Sequence, residues 1–415
     1  MRRYSPATIP EVSTPLAPAE SIRIKPPRRS AMGSVIGHTG FSVARYHSTH
    51  VFGALFPLSA GLLLFGWRAS ISVAIVLMSV TIAGGIWRRI GKQGHPLRPA
   101  QLLWLGLVLA MMLPADLTGR AAPGGPALWP ILPSAALLLV IFSWSVGSFC
   151  PGRIHPSVVV FLLLAMMYGP LLSSQCVLRR NHLLTGDITH APTETEPRAL
   201  QSPWRLRPIA ADQDPAIRSI PPSQSLLEFS SNKSPPGQRP DTLETLLRDR
   251  VPPLEDLVLG AVPGAIGVTS AMSVIIGGLF LLYRGLIDFR IPLLITATAW
   301  IALMVLPLPG VVASTPNWSW LPEHVKGVGW AVGITFANYE VLGSPLLFTA
   351  FFLAGSPTVR PMGRGARTVY AVMIGLLTAV FQLYLSVSLG SYLALLVTGM
   401  ATPLLDRKLA ARPLV

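Results

Sequence analysis

Glycines three and four residues apart, followed by paired hydroxyls, are residue types that can cradle an anion. LGAVPGAIGVTSAM, residues 259–272, is such a stretch: Gly260, Gly264 and Gly267 let the backbone turn tightly, and Thr269 and Ser270 bring hydroxyls to the start of an apolar run. A helix N-terminus at that point presents free N–H groups and a positive dipole end, which suits a phosphate. The same residues also suit a small-residue packing surface between membrane helices. Both readings remain open at this level.

A second polar stretch, GDITHAPTET at 186–195, holds Thr189, Thr193 and Thr195 in an insert between two apolar blocks. It reads either as a surface loop or as an attachment point through a threonine hydroxyl. Two short connections, CPGRIHPS (150–157) and AGSPTVRPMGRGAR (354–367), carry Arg153, His155, Arg360, Arg364 and Arg367. His155, beside a span end, is either an interfacial residue or a proton or cofactor contact. The GxSxG, HExxH, CxxC and Walker-type patterns do not occur, which removes the usual support for hydrolase, metalloprotease and ATP-driven chemistry. Acids are scarce in the apolar part: Asp116 and Glu340 fall near span ends and Asp288 in a short loop. A pump acting alone would show carboxylates inside its spans, so the chain is expected to work with partners.

The elements that position these residues follow from composition. The chain is 51% hydrophobic and only 12% charged, with mean hydropathy +0.54, whereas a soluble domain carries about 25% charged residues. Runs free of Asp, Glu, Lys and Arg place ten apolar spans near 49–66, 70–87, 100–114, 128–148, 156–174, 262–283, 291–307, 341–355, 368–384 and 389–404. SVSLGS (386–391) breaks the last long run in two. Lipid offers the backbone no hydrogen-bonding partners, so Leu-rich spans of this kind must be helical. The expectation is an all-α integral membrane protein of about ten transmembrane helices.

Charge sets the orientation. With the N-terminus inside, the inner side carries 20 Lys and Arg against 4 Asp and Glu, and the outer side 13 against 14. The net charge of +15 is therefore an inside excess, and both termini are expected in the cytoplasm. Topology accounts for the basic pI, and nucleic-acid binding is not expected. Residues 1–48 read as a disordered basic cytoplasmic tail and 407–415 as a cytoplasmic C-terminal tail. Cys150 and Cys176 flank the fifth span at opposite faces, about 30 Å apart along a regular helix, too far for a disulfide.

The segment 175–258 is a long outer loop, Pro-rich and nearly charge-balanced with ten basic and eleven acidic residues. It divides the membrane part into five-helix halves at 49–174 and 259–406. Halves with an odd number of spans run in opposite directions, as inverted repeats do, and such repeats place binding sites at their interface. The third span of each half is short and meets a proline, Pro114 or Pro345.

Several stretches resemble one family: the membrane subunit RnfD of the Rnf electron-transport complex and its counterpart NqrB in the sodium-translocating NADH:quinone oxidoreductase. ALFPLSAGLLLFGWRAS resembles the family's first helix. LVLGAVPGAIGVTSAMSVIIGGLFLLYRGLIDFRIPL resembles its LG-x-x-PG-x-x-GE-x-S segment, and SPLLFTAFFLAGSPTVRPMGRGARTVYAVMIGLLTAVF its FFMATDP segment. The resemblance implies a multi-pass subunit of the cell inner membrane that works with the other membrane and peripheral subunits of an Rnf- or Nqr-like complex. It further implies electron transfer through flavin and coupling to sodium or proton movement. Members carry FMN covalently on a threonine of the outer loop, within a D-x-x-S-G-A-T pattern. Laid on GDITHAPTET, that pattern puts its Asp on Asp187 and its threonine on Thr193, with His190, Ala191 and Pro192 in place of Ser, Gly and Ala. Val268 stands where the family has Glu, IHPS replaces FNPA and GSP replaces TDP. The turn from Gly260 to Ser270 is expected near the covalent FMN, and any second, non-covalent flavin toward the inner face. Two other readings stand beside this one: a flavin-free structural subunit that keeps the helical frame, and a stand-alone secondary transporter.

Overall fold

A computed structural model describes residues 43–90, 99–118, 128–149, 153–174, 251–260, 262–312, 315–321 and 329–409, together with short pieces of the long insert at 177–179, 207–208, 216–218, 223, 225–226, 243 and 246–247. Asp187, Thr189, Thr193, Thr195, Cys150 and Cys176, like most of both tails, lie outside the described residues.

The first half is α1 (Val43–Phe65), α2 (Trp67–Ile90), α3 (Pro99–Met112), α4 (Ile131–Phe149) and α5 (Pro156–Ser174). After the insert come α6 (Leu254–Leu259), α7 (Ala271–Tyr283), α8 (Arg290–Val305), α9 (Trp330–Leu342) and α10 (Leu346–Phe348), which runs on as a π-turn over Thr349–Leu353. The described helices end with α11 (Arg364–Tyr384) and α12 (Gly390–Lys408). The break expected at SVSLGS is present, since Leu385 to Leu389 separate α11 from α12.

Three boundaries differ from the sequence expectation. α1 starts at Val43, inside what reads as a tail, because Tyr46, His47, Thr49 and His50 are buried and give that segment a packed face. The sixth span is helical only from Ala271, and 262–270 is a non-helical turn that reaches into the bundle. The eighth span begins at Trp330 rather than 341, and breaks at Gly343–Pro345 with a bend of 58°. Pro345 has no N–H for the helical ladder, so the helix cannot continue straight through it.

The apolar segments are helical, and the connecting segments add short strands. β1 (Val177–Arg179), β2 (Arg207–Pro208) and β3 (Ala216–Arg218) form an antiparallel ladder in the order β1-β3-β2, and β4 (Leu308–Val312) pairs with β5 (Thr315–Ser319). Polar linkers outside an apolar layer still need backbone partners, and these segments find them in one another.

α1, α2 and α11 are long and apolar enough to cross a membrane, and the bent α9–α10 pair makes a fourth such span; α3, α4, α5, α7 and α8 are apolar but shorter. α3 sits innermost, with Leu102 and every residue from Trp104 to Met112 buried, as a helix apolar on all sides requires. α1, α2 and α7 instead expose Phe52, Leu63, Met78, Ile82 and Leu279. Buried polar groups inside and apolar side chains outside give the described helices the surface of a membrane protein. Helices approach closely at small residues: a Cβ on Gly277 of α7 would lie 2.5 Å from the Gly53 carbonyl of α1. In the first half α2 packs on α4 and α4 on α5; in the second, α8 packs on α11 and α11 on α12.

Candidate functional site

The glycine-rich turn is built by α6 and by the end of α3. α6 stops at Gly260, whose φ of +91° is left-handed and whose N–H donates to the Asp256 carbonyl at 2.8 Å. A Cβ there would lie 2.8 Å from Ser270 Cα, so both conformation and contact call for glycine. The N–H groups of Ile266 and Gly267 donate to the carbonyls of Leu113 and Met111 at 3.1 and 2.9 Å. Ala265 bridges Pro114, and a Cβ on Gly267 would meet Met111 Cβ at 2.5 Å. Val268 and Thr269 donate their N–H groups to the Ala265 carbonyl at 3.2 and 3.3 Å, and a Cβ on Gly264 would lie 2.9 Å from Thr269 Oγ1. Ser270 caps α7, its hydroxyl accepting from the Ser273 N–H at 3.4 Å.

This turn closes the C-terminal end of α3 inside the apolar layer, where carbonyls left without donors would be costly. The N–H groups of Ile266 and Gly267 are committed to that task and those of Val268 and Thr269 to the turn itself, which brings Gly260, Gly264, Gly267, Thr269 and Ser270 together as a packed unit. Asp256, on α6 beside it, is 3% exposed. Burial, with Glu255 adding, pushes its carboxyl up to about 6.

A second cluster joins the connection before α5, the segment between α10 and α11, and α12. The Arg153 N–H donates to the Gly399 carbonyl at 3.2 Å, and Arg153 Nη1 donates to the Arg360 carbonyl at 2.5 Å. Arg153 Nη2 pairs with Asp406 at 3.0 Å, and the other Asp406 oxygen accepts the Met362 N–H at 2.9 Å. Arg367 pairs with Asp288 at 3.3 Å and donates through Nε to the Pro361 carbonyl at 3.1 Å. Arg153 and Arg367 thus fasten three connections together.

His155 is 3% exposed, and its Nδ1 has no partner among the described residues. Burial pushes it down to about 4, with His47 adding to the effect, so it is neutral at pH 7. α1 supplies His47, whose Nδ1 is likewise without a partner among the described residues, and His50. His50 lies 3.1 Å from the Tyr46 carbonyl through Nδ1 and 3.2 Å from the Tyr46 hydroxyl through Nε2, and its ring meets Trp104 edge-on at 5.2 Å. The half-buried Arg360 is close enough to act electrostatically on Tyr46 and His50, and burial lowers its own pKa. No group of three or more metal-ligating side chains occurs among the described residues.

Sequence reasoning singled out His155 but missed His47 and His50. Their signal is YHSTH (46–50), histidines three apart at the edge of an apolar run, within one turn of one helix face. It also put Glu340 at a span end, whereas Glu340 is 1% exposed within α9.

Sequence comparison adds relatives to this geometry. The NQR2, RnfD, RnfE family matches residues 32–414. The D subunit of the ion-translocating oxidoreductase complex of Halorhodospira halophila is 26% identical over 361 residues, 85% of this chain and 86% of that protein. The D subunit of the Na(+)-translocating ferredoxin:NAD(+) oxidoreductase complex of Acetobacterium woodii is 29% identical over 149 residues, 36% of this chain and 38% of that protein. Its counterpart in the proton-translocating ferredoxin:NAD(+) oxidoreductase complex of Clostridium ljungdahlii is 26% identical over 153 residues, 36% of this chain and 40% of that protein. With the family match spanning nearly its whole length, the chain belongs to the NQR2, RnfD, RnfE family.

Proposed function

We propose that the chain is the D-type membrane subunit of an Rnf-type complex, passing electrons through flavin between partner subunits while the complex moves sodium ions or protons across the inner membrane. The observation that carries this reading is the family match over 32–414, together with relatives named as the D component of ion-translocating complexes.

Ten crossings are supported by the nine apolar spans among the described residues with α12 taken as the tenth, and the excess of Lys and Arg on one side supports both termini inside. An inverted-repeat layout is supported by the matching contacts of the halves, α2 on α4 and α4 on α5 in one, α8 on α11 and α11 on α12 in the other, with α1 meeting α7 and α5 meeting α12 across them. Five spans per half make the halves antiparallel.

FMN on Thr193, with Asp187 in the same motif, is the covalent part of the proposal, and both residues lie outside the described ones. The Gly260–Ser270 turn, with the N–H groups of Ile266 and Gly267 engaged at the end of α3 and those of Val268 and Thr269 within the turn, suits a wall that packs near such a group rather than a phosphate cradle. The inner cluster fits a polar ligand better: His47 Nδ1, His155 Nδ1 and the hydroxyl of Tyr370, a residue of α11 near Arg153, are buried without partners among the described residues, and Arg360 lies beside α1. Flavin, when bound, supplies transfer of one or two electrons. The residues here would hold and orient it, with the neutral imidazoles offering hydrogen bonds and Arg360 a positive charge.

A flavin-free structural subunit is the second reading. It is favoured by His190, Ala191 and Pro192 within the attachment motif, because Pro192 fixes φ and removes an N–H just before Thr193. Tagged chain made together with the partner subunits and a flavin transferase separates the two readings. The proposal expects the partners to co-purify and the denatured band to fluoresce as flavin, with fluorescence lost in Thr193→Ala. Co-purification with a dark band supports the flavin-free reading, and purification of the chain alone contradicts both.

A further inference from the structure

Glu340 is ten residues along α9 from Trp330, about 15 Å into the helix at 1.5 Å per residue. It is 1% exposed, and its Oε2 has no hydrogen-bonding partner among the described residues. Its neighbours on α9 are engaged elsewhere: Asn338 accepts from the Trp300 indole N–H at 3.1 Å, and the Tyr339 hydroxyl donates to the Pro252 carbonyl at 2.8 Å.

The elements packed on α9 bring few charges. α8 contributes only Arg290, ten residues from the Trp300 contact, or about 15 Å along that helix. α6 contributes Glu255 and Asp256, and α10 with its π-turn contributes no titratable side chain. An ionised carboxylate in this setting would be a buried charge with only the distant Arg290 as a cation on these elements, which is unfavourable. Neutral carboxylic acid is the form the site accommodates. Five residues on, the ladder is interrupted: Pro345 has no N–H, and the Leu346 N–H turns to the Ser344 hydroxyl at 3.4 Å. The buried carboxyl therefore sits beside the 58° break of its own span, the part of the helix least held by backbone hydrogen bonds.

We propose that Glu340 is a proton-binding site in the interior of the chain, its carboxylate taking up one proton to become the neutral acid and returning that proton as the carboxylate forms again. Use of that proton in ion movement rests on the function proposed above; the binding itself does not. Intramembrane carboxyls commonly mark such sites.

Infrared spectra of the assembled complex in native lipid, recorded between about pH 5 and pH 9, test it as the difference between wild type and Glu340→Gln. The expected result is a protonated-carboxyl carbonyl band in wild type at low pH that shifts on deuteration, is lost as pH rises and is absent from Glu340→Gln. Glu340→Asp, which keeps a carboxyl, should retain the band at a shifted frequency, guarding against loss through misfolding. A difference spectrum without that band at every pH, or a band of constant intensity throughout, overturns the proposal. If the band titrates but the wild-type complex moves no ions, the proton site stands and the function proposed above falls. Ion movement without the band has the opposite meaning.

Discussion

The backbone N–H of Gly267 donates to the carbonyl of Met111 at 2.9 Å, so a turn from the second half of the chain closes the end of a helix in the first. Because a Cβ at 267 would lie 2.5 Å from Met111 Cβ, Gly267→Ala must push the turn off α3. The expected cost is about 1–3 kcal/mol, read as a lower thermal midpoint of the purified protein in detergent. Gly365→Ala is the control: nothing lies within 4 Å of its Cβ position in the first turn of α11, so stability should hold or rise by up to about 1 kcal/mol.

Arg153 binds Asp406 through one nitrogen and the Arg360 carbonyl through another. Arg153→Ala and Asp406→Asn should each lower stability by about 1–2 kcal/mol, less than a fully buried pair would because both side chains are partly exposed. The double variant should cost less than the sum, with a coupling of at least about 0.5 kcal/mol. Simple addition of the two effects would show that the pair does not tie α12 to the connections before α5 and α11.

Two buried groups give opposite pH slopes. His155 is pushed down to about 4 in the fold, below its unfolded value of about 6.5. Its contribution is present above about pH 6.5 and is lost as pH falls toward 4. Asp256 is pushed up to about 6 from 3.8, so its contribution is present below pH 3.8 and is lost as pH rises through about 6. Midpoints measured from pH 4 to 8 should lose part of the acid-side fall in His155→Gln. Asp256→Asn should raise the midpoint at pH 7, by up to about 3 kcal/mol in stability terms. Unchanged profiles in both variants would mean that neither group is held as its surroundings imply.

The charge-free runs made the helical frame legible, because lipid permits few alternatives for a long apolar segment. The break at SVSLGS was legible because the last charge-free run is too long for one crossing and its turn residues fall there. Where the chain leaves the helix inside the apolar layer, the absence of charge is silent: 262–270 falls within a charge-free run although its glycines and Thr269–Ser270 read as a turn leading into a helix, and only its hydrogen bonds to Met111 and Leu113 show what that turn closes. Gly260 and Gly267 were readable as close-packing residues, but not what they pack against. Proline marked the break at Pro345, whereas the start of that helix at Trp330 could not be read from hydropathy. His47, His50 and Glu340 escaped because a lone polar residue at the edge of an apolar run looks interfacial until neighbouring helices are seen to cover it. For the attachment motif at Thr193, resemblance alone supplied the candidate.

Mass spectrometry of the peptide spanning Asp187 to Arg198, isolated from native membranes, tests the central claim most directly. A D-type subunit that carries electrons through covalent flavin should show the mass of FMN added at Thr193, and Thr193→Ala should return the peptide to its bare mass. A native peptide that carries no addition would contradict the account, leaving a member of the family that keeps the helical frame without the covalent cofactor.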